Sequence, residues 1–149
     1  MRTNLAQRIL FAFVAGFISV LIFHQGFLLL SYLAGWVPNP PYSLAATPPL
    51  GVPKVLSLAF WGGLWGIVMM LALRRLQGWT LLWSSVLFGG VLATLVAFFV
   101  VTPLKGLDVS ANLRASHLLF GFLINGFWGL GTALIYGALA SRRVLLARS

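Results

Sequence analysis

Few side chains in this sequence can do chemistry, and they are spread thinly over a very apolar chain. His24, Gln25 and Asn125 stand inside long hydrophobic runs, with Ser19 and Ser31 on the same run as the histidine, while His117 and the sole acid, Asp108, fall at or beyond run ends. Nucleophilic catalysis needs a nucleophile, a base within hydrogen-bond reach and a group that orients the base. His24 meets neither serine at an ideal helical reach with a third partner, and Asp108 is in a loop, so no catalytic residue is assigned. Coupled cation transport ordinarily draws on a carboxylate inside the membrane, and no run carries one. The absence of cysteine removes thiolate chemistry and most structural zinc sites, and no metal site is expected.

Depth along the runs sharpens the choice. At about 1.5 Å per residue, His24 lies roughly 22 Å from the start of its run, and Asn125 roughly 10 Å from the opposite end of a later one. In a hydrocarbon core of about 30 Å these levels nearly coincide, and Trp61 and Trp128 fall in the same outer half. The expectation is a polar, aromatic-walled layer of His24, Gln25, Asn125, Trp61 and Trp128. Two readings of it compete: a seat for a lipid, a quinone headgroup or a small polar solute, and plain interhelical hydrogen bonding. Neighbouring helical positions point about 100° apart, so His24 and Gln25 cannot both address one partner. A bis-histidine haem would need His24 and His117 at similar depth, yet His117 lies about 12 Å further out than Asn125. No cofactor is predicted, with haem and quinone left open.

The elements that position these residues are legible from hydropathy. A membrane-crossing helix needs about 20 apolar residues, and the runs 9–33, 55–73, 79–101 and 118–140 reach or approach that length. The chain is 60% hydrophobic and 7% charged, against about 25% charged in soluble domains, so lipid must solvate most of it. The fold class expected is an all-α integral membrane protein, a compact four-transmembrane-helix bundle in one membrane domain over residues 1–149. The first run is too long for a cleavable signal and reads as an uncleaved signal anchor. The net charge of +9 sits at run ends, where it orients helices and attracts anionic lipid, and no nucleic-acid partner is expected. Arg2, Arg8, Arg74, Arg75, Arg142, Arg143 and Arg148 fall on one side of four crossings, with Lys54, Lys105 and Arg114 on the other. This asymmetry predicts cytoplasmic termini, and the compact size with the absence of eukaryote-type targeting signals suggests a bacterial inner membrane.

The connections differ in kind. Loop 34–53 holds six of the seven prolines, at 38, 40, 41, 48, 49 and 53, which argues against helix there. With Trp36, Tyr42 and Leu50 it is expected to fold over the outer mouth of the bundle or to anchor at the interface. The turn 74–78 is short and should make the second and third helices antiparallel neighbours. The loop 102–117 is expected to lie at the surface. The segment Phe60-Trp61-Gly62-Gly63-Leu64 resembles Phe127-Trp128-Gly129-Leu130-Gly131, an echo that a duplicated two-helix hairpin would produce, and that the abundance of Gly, Trp and Phe would produce as well.

Association of helices in lipid relies on small residues and a few hydrogen bonds. Stripes at helical spacing collect Gly16, Gly62, Gly66, Gly90, Gly121 and Gly129 as packing positions. Such seams argue for a compact bundle and against a wide aqueous pore in one chain. Trp61 and Trp65 lie roughly opposite the second seam and should face outward. The function expected is a binding or assembly subunit, holding a lipid or other lipophilic ligand in the outer polar layer, with membrane lipids and either a larger membrane complex or a homo-oligomer as partners. The alternatives are an oligomeric channel or transporter for an anion or small neutral solute, and an intramembrane enzyme.

Overall fold

In this computed structural model the described residues are 4–146, with the side chains of 111–112 and 142–146 also undescribed. Of the basic residues counted above, Arg2, Arg148 and the side chains of Arg142 and Arg143 therefore lie outside the described residues. Among the described residues four helices are long and apolar enough to cross a membrane: α1 (Leu5–Leu33), α2 (Lys54–Ala72), α3 (Gly78–Leu104) and α4, which runs over Ala115–Leu146. The chain is an all-α membrane protein.

Local chemistry sets the ends. The Asn4 side chain accepts from the Gln7 amide at 2.9 Å and caps α1. Gly35, at φ 74°, closes that helix with paired bonds from the Gly35 amide to the Tyr32 carbonyl and from the Trp36 amide to the Ser31 carbonyl. The same glycine closure ends α3, where Gly106, at φ 69°, donates to Pro103 and Leu107 donates to Thr102. Helix α3 thus runs to Leu104, past the expected boundary, and a short 3-10 turn at Val109–Leu113 fills the shortened outer loop. Pro103 has no amide to give. The turn before it widens to π geometry over Ala97–Val101, and the Thr102 hydroxyl takes up the Ala97 carbonyl at 3.0 Å.

The 34–53 loop forms no helix. Its only regular pairing is a two-residue antiparallel ladder, β1 (Ala46–Thr47) on β2 (Val52–Pro53), around the cis Pro48-Pro49 bond. From it the carbonyls of Ala45 and Ser43 accept the Lys54 and Val55 amides, so the loop satisfies the first donors of α2.

The helices run up and down, and backbone meets backbone along α1–α2, α3–α4 and α1–α4. The expected neighbours α2 and α3, despite their short turn, meet through side chains, with the Trp65 ring edge-on to Phe88 at 6.0 Å. Trp65 accordingly turns inward, contrary to the outward position expected for it. The reason lies in the seams: glycines bring the other three pairs together, whereas α2 spends its glycines on α1. Large side chains such as Leu10, Ile22, Leu30 and Trp83 stay more than half exposed, as a lipid-solvated surface requires.

Candidate functional site

The outer polar group is built by a distortion of α1. Over Val20–His24 the helix takes π geometry, and the Gln25 amide bonds to the carbonyls of Val20 and Ile22. The Leu21 carbonyl, its ordinary acceptor, is left over. Tyr42 takes it: its hydroxyl donates to Leu21 at 2.9 Å, and its backbone amide donates to Gln25 Oε1 at 2.7 Å. Tyr42 pays with a left-handed backbone, φ 55°. Because Oε1 accepts from Tyr42, the other amide atom, Nε2, is the donor to His24 Nδ1 at 3.3 Å. Gln25 is buried and His24 half-buried, so the proline-rich loop is stapled across α1 at this level.

Asn125 belongs to another group. Phe27 stacks on Phe127 at 4.9 Å and lies 5.7 Å from Phe120, which sets Asn125 close to the level of Gln25. Its side chain, however, donates to Thr94 Oγ1 on α3 at 2.9 Å. The structure does not join it to His24 or Gln25: depth is shared, direction is not. Trp61 is 59% exposed and packs edge-on to Phe60, so it walls neither group. Trp128 is buried, and its indole donates to the Gly16 carbonyl at 3.1 Å. Ser19 and Thr132 both donate to the Trp128 carbonyl, at 2.6 and 2.8 Å. Trp128 therefore ties α4 to α1. Sequence reasoning placed Tyr42 in the loop expected over the outer mouth, but not the bonds of Tyr42 to α1, of Asn125 to Thr94 or of Trp128 to Gly16, because each depends on which faces meet.

Among the described residues, the other chemistry-bearing groups have local uses. Asp108 accepts from the Ser110 hydroxyl and amide, which hold its carboxyl below the ordinary range. His117 sits exposed at the start of α4, its amide on the Arg114 carbonyl. No cluster of three or more His, Cys, Asp or Glu that could hold a metal occurs among the described residues.

The glycine seams show a matched geometry. A Cβ on Gly16 would strike the Gly62 carbonyl and stand 3.0 Å from Gly66 Cα; one on Gly89 would strike the Asn125 carbonyl and stand 3.3 Å from Gly129 Cα. A Cβ on Gly66 would meet the Ala12 carbonyl at 2.6 Å and Gly16 Cα at 3.0 Å; one on Gly129 would strike the Ser85 carbonyl and stand 3.6 Å from Gly89 Cα. In these matched contacts Ala12 and Gly16 of α1 stand 73 residues from Ser85 and Gly89 of α3, and Gly62 and Gly66 of α2 stand 63 from Asn125 and Gly129 of α4. The two steps differ because the outer connection is 20 residues long in one hairpin (34–53) and 10 in the other (105–114). In this register Gly62-Gly63-Leu64-Trp65-Gly66 lies on Asn125-Gly126-Phe127-Trp128-Gly129, one helical turn from the echo visible in sequence. Gly90 and Gly121 are also tight, against Phe122 at 2.6 Å and Thr94 at 2.7 Å.

One concavity is notable. On the outer face of the α3–α4 hairpin, Trp83, Val86, Phe122, Leu123, Gly126, Phe127 and Leu130 line an open, wholly apolar groove of about 180 Å³. Comparison with known proteins adds no relative: no family description, no curated protein and no solved structure matches this chain.

Proposed function

We propose that this protein is a binding or assembly subunit of a bacterial inner membrane, built from two copies of a helical hairpin and holding lipid chains rather than conducting solutes. The observation that carries the reading is where its polar groups go. Among the described residues six polar side chains are buried, Ser19, Gln25, Ser31, Ser85, Thr94 and Thr132, and all but Ser85 are hydrogen-bonded within the chain. Such bonds are worth only about 0.6 kcal/mol each in a membrane. They fix which helices meet and leave little polar surface to line a path for water or ions. The groove, by contrast, offers the chemistry of lipid tails. The shared steps of 73 and 63 residues support duplication, with the repeat axis along the membrane normal.

Native mass spectrometry from mild detergent tests this reading. The expected result is a chain carrying phospholipid or a partner subunit. A bare monomer, joined with anion flux into liposomes above that of protein-free vesicles, would overturn it in favour of a channel. A retained haem, visible as a Soret band, would overturn it in favour of a redox role for His24.

A further inference from the structure

One run of hydrogen bonds joins the proline-rich loop to the π turn of α1 and to the start of α2, and His24 stands at its end. Tyr42 donates its amide to Gln25 Oε1 at 2.7 Å, and Gln25 Nε2 faces His24 Nδ1 at 3.3 Å. Ser43 and Ala45, next along the loop, accept the Val55 and Lys54 amides. A backbone amide can only donate, so Tyr42 fixes which way the buried Gln25 amide is turned. Tyr42 itself has φ 55°, a conformation that lasts only while its surroundings hold it.

An imidazole that takes a second proton has an N–H at both nitrogens. The contact between His24 and Gln25 then sets donor against donor. Turning the Gln25 amide over answers His24 but aims the NH2 group at the Tyr42 amide, because the two partners stand at opposite atoms of one side chain. The surroundings supply no counter-ion. The π turn packs against α2 and α4 as well as the loop. Eight residues on from Gly16 and eight back from Gly62, which meet, His24 comes level with Lys54, an exposed cation. On α4, His117 lies a turn outward of Phe120, which faces Phe27, and Tyr136 lies several turns inward. The loop brings the Tyr42 phenol, bonded to Leu21, while α1 itself carries Tyr32 two turns further out and Arg8 near its inner end. The sole acid of the chain, Asp108, is held by Ser110 on the other outer loop. A charged ring here is costly unless water reaches it, and lifting the loop admits water.

We infer that loop 34–53 is a pH-gated strap, latched across α1 and α2 while His24 is neutral and released when His24 is protonated. The strap is closed above the titration of His24 and open below it. Release uncovers the Gln25 side chain, the Leu21 carbonyl and the first amides of α2. This device is independent of whether the bundle binds lipid.

Hydrogen exchange followed by NMR tests it between about pH 7.5 and about pH 4, a span that covers exposed and buried histidines. Protection factors, the ratios of intrinsic to observed rate, remove the direct effect of pH. At the lower pH, protection at Lys54 and Val55 should fall about tenfold or more, while Gly66 in the middle of α2 stays protected. His24→Asn sets an amide oxygen near the Nδ1 position without a titrating group, and should keep both amides protected throughout. His117→Asn should release as the wild type does, and Gln25→Leu, which cuts the relay, should lower protection at both pH values alike. Wild-type protection that does not change with pH, or release that persists in His24→Asn, would overturn the inference. Loss of protection at Gly66 along with the two amides would overturn it as well, since the bundle would then be unfolding.

Discussion

Ser85 illustrates how much one side chain can be judged from its counterpart. Its hydroxyl is fully buried and has no hydrogen-bond partner, whereas the matched position in the first hairpin is Ala12. A buried unsatisfied hydroxyl costs about 1–3 kcal/mol. Ser85→Ala should therefore leave thermal stability in detergent unchanged or raise it, and a clear drop would show that the hydroxyl has a use. Glycines separate by the same logic. Gly66→Ala drives a Cβ against the Ala12 carbonyl and the Gly16 backbone, atoms that move only if the helices part, so a loss of about 1–3 kcal/mol is expected. Gly26→Ala meets nothing within 4 Å and should gain about 0.5–1 kcal/mol from helix propensity. Melting curves of the two variants moving in the same direction would mean the seam is misplaced.

At the scale of elements, the outer loop and α1 depend on each other. The π turn frees the Leu21 carbonyl, Tyr42 takes it, and the loop held in this way caps α2 through the carbonyls of Ser43 and Ala45. Tyr42→Phe removes one bond of about 0.5–1.5 kcal/mol and leaves the backbone bond to Gln25. Hydrogen exchange should accelerate at the Val55 and Lys54 amides while the middle of α2 stays protected. Uniform protection would mean the phenol contributes nothing to the staple. None of this could be read from the proline pattern, which excludes helix from the segment without saying where it docks.

The whole molecule is a ring of four helices with one edge looser than the rest. Trp128 closes the α1–α4 edge with a hydrogen bond to Gly16, while its counterpart Trp65 meets Phe88 across α2–α3 as a ring contact. Trp128→Leu should accordingly cost more stability than Trp65→Leu, with large truncations of buried tryptophan costing about 3–5 kcal/mol; equal losses would mean that both edges are equally closed. The expected placement of both termini on the arginine-rich side is checked by reporter fusions after Ser149 and within 34–53, and a terminus on the opposite side would reverse it. The number of helices, their approximate limits, the helix-poor proline loop and the small-residue stripes were all legible in the sequence, because lipid imposes length and apolarity on every span. What only the tertiary structure decided was azimuth: Asn125 turns to Thr94, Gln25 to Tyr42, Trp128 to Gly16 and Trp65 to Phe88. Register between the hairpins was hidden for a related reason. A GxxxG-like stripe looks alike when slid by one turn, and only the carbonyl against which each glycine packs distinguishes a step of 63 residues from the 67 that the Trp-Gly echo suggests.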